Sequence, residues 1–257
     1  MLPFILNTIK IIFLLGFLII IHEAGHFVVA KLCKVKVNEF SIGFGKIIWK
    51  KQGKETLYTI RLIPLGGFVQ MEGETEESTD KRAFSNVNIP KRIAIVSAGA
   101  IVNIVFGIIV YFILVSTIGI QFADPAKDTF LNRIYYGGIQ TKEFIISLLE
   151  SIKMLFTSGV SVENMTGPVG ISQIVVQTTT FINYIYILSI ISVSLGVTNL
   201  LPIPALDGGK IIILLIEAIR KKKIKTETEV TITLVGFSIL IAISLYVTYN
   251  DIIRILN

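Results

Sequence analysis

The chain has 257 residues, of which 53% are hydrophobic and 16% charged, with a mean hydropathy of +0.75. Soluble domains carry about 25% charged residues, so this composition excludes an ordinary globular domain and points to an integral membrane protein. The formal charge of +6 does not argue for a nucleic-acid partner, because the basic residues gather in segments flanking apolar runs, as topology signals do. Cys33 is the only cysteine, which rules out an intrachain disulfide.

The first apolar run extends from about Leu2 to 30. At ~1.5 Å per residue it can cross a hydrocarbon core of ~30 Å, and it exceeds the h-region of a signal peptide. Near its end stands Ile21-His22-Glu23-Ala24-Gly25-His26. In a helix His22 and His26 share one face, one turn apart, so both imidazoles can grip a single Zn²⁺, with Glu23 beside them as candidate general base. A charged carboxylate in mid-bilayer costs at least ~2.5 kcal/mol, so an ionisable cluster there reads as functional. Histidines that serve only helix packing or the interface need neither that spacing nor the adjacent glutamate.

Residues 31–92 hold twelve Lys and Arg and are assigned to the cytoplasm by the positive-inside rule. Within them, 39–49 mix aromatic and aliphatic residues with glycines and suit a segment dipping into the membrane, with Trp49 at the interface. Residues 55–72 alternate with period two on both sides of Pro64 and Gly66-Gly67, as two strands joined by a turn would. Such strands either offer an edge to an extended substrate or form a small structural sheet, and the pattern fits both. Glu72 to Asp80 is an acidic connector.

A second span covers 93–120. Its small residues, Ser97, Ala98, Gly99, Ala100, Asn103 and Gly107, permit close approach of another helix, and Asn103 is expected to face protein. The stretch 121–180 has four basic residues and is placed outside. In it Phe144, Leu148, Ile152 and Leu155 fall on one helical face, the mark of an amphipathic helix lying on the outer surface or packed on the spans. Gly167-Pro168 marks a turn.

The third span, 181–201, runs into Asn199-Leu200-Leu201-Pro202-Ile203-Pro204-Ala205-Leu206-Asp207-Gly208-Gly209. Its prolines and glycines break the helix at membrane depth, which is tolerated only where protein or a polar cavity satisfies the backbone. Asp207 is the acid that this break offers. The first and third spans run in the same direction, so the His pair and Asp207 meet at one depth and can form a His₂Asp set with a fourth position left for water. A basic loop, 206–229, and a fourth span, 230–247, follow, which puts both termini outside. The expected fold is an all-α polytopic membrane protein: four transmembrane helices, a small membrane-associated β-hairpin or sheet and a surface amphipathic helix, in one domain over 1–257.

HEAGH at 22–26, SIGFG at 41–45, PLGGFVQM at 64–71, AGAIVN at 98–103, TGPVGI at 166–171 and NLLPIPALDGG at 199–209 together resemble the site-2 protease family of intramembrane zinc metalloproteases. The likeness is closest to the bacterial branch that releases sigma factors by cutting membrane-anchored anti-sigma factors. The resemblance implies one zinc held by His22, His26 and Asp207, with Glu23 as catalytic base. It implies that the hairpin around Gly66, Gly67, Phe68 and Val69 presents substrate and that Asn199 helps hold the substrate backbone. Implied substrates are single-span proteins of the bacterial cytoplasmic membrane, anti-sigma factors or signal-peptide remnants, cut near its cytoplasmic side. Relatives usually carry PDZ domains between the second and third spans, and the loop 121–180 is too short for one. The rival reading is an inactive scaffold or metal-binding protein that holds transmembrane partners; the intact Glu23 argues against it, since metal storage needs no base. A further rival, another class of membrane zinc protease, would take its third ligand from a glutamate.

Overall fold

The computed structural model describes residues 2–76, 78–122, 124–154, 157 and 167–256. Glu77, Leu155 and Thr166, which the sequence reading used, lie outside them. Among the described residues, four helices are long and apolar enough to cross a membrane: Ile5–Leu32, Ile89–Gly119, Phe181–Asn199 and Glu227–Arg254. The full elements in chain order are α1 (Leu2–Leu32), β1 (Val37–Gln52), β2 (Leu57–Met71), α2 (Ile89–Leu114), α3 (Phe130–Met154), α4 (Pro168–Gln177), α5 (Phe181–Asn199), α6 (Asp207–Arg220) and α7 (Thr226–Leu256). The chain divides into two compact units, one of Met1–Ile104 with Ser194–Leu240, the other of Val105–Val193 with Ile241–Asn257.

In the first unit α1 is apolar all round, yet only one stripe is buried. Leu14, Leu18 and His22 follow at helical spacing on the protein side, while Ile9, Phe13 and Val28 are exposed, as lipid-facing residues of a span are. Backbone contact fixes how α1 meets α2: a Cβ on Gly25 would stand 2.7 Å from the Ala98 carbonyl oxygen and 2.9 Å from Gly99 Cα. This is the small-residue packing that lets helices approach in a medium without a hydrophobic driving force.

β1 and β2 pair antiparallel, from Val37–Met71 through Ile42–Gly67 and again from Ile47–Arg61 through Gln52–Leu57. A further register sets Phe40 between Val69 and Tyr58. Burial alternates along β1 as far as Gly43 and then stops, so the first half packs inward and the second half projects. The inward half joins the core of this unit, where Val35, Val37, Val69 and Met71 meet Phe84, Ile95 and Leu214. β2 runs alongside α1, and a Cβ on Gly16 would lie 3.2 Å from the Pro64 carbonyl oxygen.

In the second unit α3 packs against the end of α2: Tyr111 stacks on Phe144 with centroids 4.3 Å apart, and Arg133 donates to the Thr117 carbonyl at 2.6 Å. Of the two placements open to the amphipathic helix, packing on a span is the one observed. Gly167-Pro168 opens α4 with proline in the first turn, where its missing N–H is harmless. The buried Asp251 of α7 accepts from Gly167 N at 3.0 Å and Gly170 N at 2.8 Å, satisfying donors that a helix start leaves orphaned.

One expectation changes and two gain detail. Residues 55–72 reverse around Pro64 and Gly66-Gly67 as expected: 57–60 run in the direction of 39–42 along one edge of that stretch and 67–70 run against it along the other, and a further turn lies at Gly53, whose N–H donates to the Thr56 carbonyl at 2.9 Å. The stretch 39–49, expected to dip into the membrane, is strand in β1, with 39–42 between the two runs of β2 and 47–49 against 60–61. Finally, Asp207–Arg220 of the expected loop 206–229 is helix α6, because Ile213, Leu214 and Glu217 bury one face of it. Among the described residues of 121–180 no strand is present, so no PDZ-like sheet stands there.

Candidate metal centre

Helix geometry brings His22 and His26 together, with their Nε2 atoms 3.1 Å apart and their rings at 83°. The Nδ1–H of His26 donates to the Ile95 carbonyl of α2 at 2.8 Å, which turns the lone pair of Nε2 toward its neighbour. Asp207, the first residue of α6, sets Oδ2 at 3.2 Å from His22 Nε2 and 3.5 Å from His26 Nε2. That oxygen is buried and accepts no hydrogen bond from the described residues.

The three atoms fit one ion. A tetrahedral zinc with bonds of ~2.0–2.1 Å holds its ligand atoms about 3.3 Å apart, and the observed separations are 3.1, 3.2 and 3.5 Å. Two imidazole nitrogens and a carboxylate oxygen converging at these distances are a donor set suited to a cation. Among the described residues these are the group of His, Cys, Asp and Glu so arranged, their ligand atoms all within 4.8 Å of one another.

Neighbouring backbone leaves room for nothing larger. A Cβ on Gly99 would lie 2.4 Å from His26 Nε2 and 2.8 Å from His22 Nε2, so α2 is flat against the imidazoles. On the other side Gly67 of β2 approaches Glu23, whose Cγ lies 3.2 Å from the Cβ position of that glycine. Asp207 is held through its helix. Lys210, one turn on, donates to Glu74 at 2.6 Å and stands 5.0 Å above the Phe84 ring, while Arg92 of α2 donates to the buried Glu217 of the same helix at 2.7 Å.

Of the residues singled out from sequence, His22, Glu23, His26, Asp207 and Gly67 are thus brought together. Gly66 lies against the Phe44 ring, Phe68 stacks on that ring at 6.3 Å beneath Arg61, and Val69 is core. Asn199 closes α5, eight residues before Asp207. Sequence reasoning missed Gly99 and the Lys210–Glu74 pair; the signal for Gly99 was its place in a run of small residues, which reads as helix packing alone.

An apolar helix bearing HExxH and met by an aspartate from a broken segment defines a membrane-embedded metallohydrolase. The sequence profile described as peptidase family M50 matches residues 10–243. A Clostridium acetobutylicum protein provisionally named a zinc metalloprotease is 29% identical over 334 aligned positions, covering 98% of each chain. Zinc metalloprotease RasP of Bacillus licheniformis is 24% identical over 417 positions, covering 97% of this chain and 100% of RasP. Regulator of sigma-E protease RseP of Escherichia coli is 44% identical over 130 residues, 49% of this chain and 29% of RseP. The chain belongs to peptidase family M50, the site-2 protease family, and is a zinc-dependent protease. The two long alignments exceed 257 positions, so those relatives carry residues that this chain lacks.

Proposed function

We propose that the chain cleaves single-span membrane proteins inside the bilayer, near its cytoplasmic face. The reading rests on one observation: Asp207 Oδ2 lies within 3.5 Å of both histidine Nε2 atoms at the end of an otherwise apolar helix. His22, His26 and Asp207 would hold the ion. Zinc bound by them supplies Lewis-acid chemistry, polarising a scissile carbonyl and bringing the pKa of water toward ~7.

Glu23 takes the proton of the attacking water and passes it to the leaving amine nitrogen. Gly67 lets the β2 backbone lie against the Glu23 side chain, which holds this base beside a strand. The residues from Gly67 to Gln70 pair with β1 on one edge only among the described residues. An unwound substrate segment adds to the other edge through main-chain hydrogen bonds, which exposes an amide that a helix would keep bonded. Asn199, the last residue of α5, helps hold the substrate backbone. RseP is named as a regulator of sigma-E; membrane-anchored anti-sigma factors and signal-peptide remnants are accordingly the substrate class proposed here. The enzyme sits in the bacterial cytoplasmic membrane with both chain ends outside.

Purified protein reconstituted with a single-span substrate tests the assignment. Wild type cleaves, and Glu23→Gln retains zinc but loses cleavage; cleavage at the wild-type rate by Glu23→Gln would defeat it.

A further inference from the structure

The break after α5, the start of α6 and the first turns of α7 enclose a cavity of about 310 Å³. Asp207, one residue of the candidate metal centre, forms part of its wall. Pro204, Ala205 and Leu206 from the break, Ile213 from α6, and Val230 and Leu234 from α7 make the rest largely apolar. The cationic group on its lining, Lys210, is neutralised by Glu74 at 2.6 Å.

The cavity is shaped by tight contacts. A Cβ on Gly236 would stand 2.4 Å from Pro204 Cβ and 2.5 Å from its carbonyl oxygen, so α7 touches the break at backbone distance. Ala205 takes φ +77°, a left-handed conformation that a residue with a Cβ adopts only where its surroundings impose it. That kink turns the chain from Pro204 into the start of α6, and the hollow lies beside it.

We propose that this cavity is a specificity pocket for the side chain of one substrate residue flanking the scissile bond, and that it selects apolar side chains. The inference rests on the proteolytic reading above. Its volume is at the lower end of the ~300–1,000 Å³ typical of ligand pockets, which suits one side chain and not a folded segment. Its apolar wall rewards Leu or Phe, whereas an acidic side chain would face the carboxylates of Asp207 and Glu229, which share the lining. Asp207 in its wall sets the cavity near the candidate metal centre, where residues close to the cut would lie.

The test uses the full chain in bilayers with a single-span substrate whose two residues flanking the cut are each varied among Ala, Leu and Phe. Wild type prefers Leu or Phe over Ala at one of these positions by about tenfold or more. Thr233 lines the cavity from the exposed face of α7, so Thr233→Phe fills the pocket without entering the core, and it abolishes or reverses that preference. Val230→Phe serves as the second variant. As a readout independent of turnover, a photoreactive benzophenone amino acid at position 233 in the Glu23→Gln protein crosslinks to the substrate residue flanking the cut. Cleavage with an unchanged Leu-to-Ala ratio in both variants, or crosslinks to lipid alone, overturns the pocket and leaves the proteolytic reading standing. Correct crosslinks with no cleavage by wild type overturn the proteolytic reading instead.

Discussion

Gly99 sets how near α2 can come to the imidazoles. Because an added methyl would sit 2.4 Å from His26 Nε2, Gly99→Ala must swing the rings or part the helices. The expected outcome is helical content like that of wild type, lowered zinc content, and cleavage reduced on the order of 10²-fold, the penalty of misplacing reacting groups by about 1 Å. Wild-type zinc content and cleavage in that variant would contradict this geometry. The histidine pair and Glu23 were legible in the sequence because four-residue spacing means one helix face wherever the helix lies. Asp207 was legible because only a site explains an acid after a broken span. Gly99 was not, since a glycine among Ser97, Ala98 and Ala100 signals close packing without saying what it packs against.

At the scale of elements, α6 carries Asp207 and is pinned at both ends. Arg92 and Glu217 are 8% and 4% exposed, and Glu217 also accepts from the Ile224 N–H at 2.8 Å. Arg92→Leu leaves a buried carboxylate without its cation, so a loss of about 3–5 kcal/mol is expected in denaturant unfolding; a change within about 0.5 kcal/mol would show that the pair does not pin the helix. The linker after β2 has its own anchor. Ser78, Asn38 and Lys36 bond the carboxylate of Glu72 and hold its pKa at about 2, below the ordinary 4.5. A depressed carboxylate stabilises the fold above its unfolded pKa and loses that contribution as pH falls through the folded value. Glu72→Gln should therefore melt below wild type near neutral pH, with the gap closing between about pH 4.5 and pH 2. A gap constant across that range would contradict the anchor. Elements were less legible than residues. Period-two alternation over 55–72 reported strand, and Pro64 with Gly66-Gly67 marked the reversal, but neither reported that 39–42 would lie between the two runs. The basic residues around α6 drew attention away from the apolar face of Ile213 and Leu214, a short amphipathic helix hidden among topology signals.

For the whole molecule, the four spans were legible because an apolar run of that length has few other uses, and structure moved their ends rather than their number. Charge distribution yields the orientation as a prediction. In a Cys33→Ser background, a cysteine at Lys51 is labelled by a membrane-impermeant reagent only from the cytoplasmic side, and one at Lys127 only from outside; the reverse pattern would contradict the positive-inside assignment. All of this depends on residues from α1 and from the start of α6, 181 positions beyond His26 in the sequence, sharing one ion. The zinc-to-protein ratio of purified Asp207→Ala, measured against wild type and Glu23→Gln, tests that dependence most directly: about one zinc in wild type and in Glu23→Gln with little or none in Asp207→Ala is the expected result, and a full zinc complement in Asp207→Ala would contradict it.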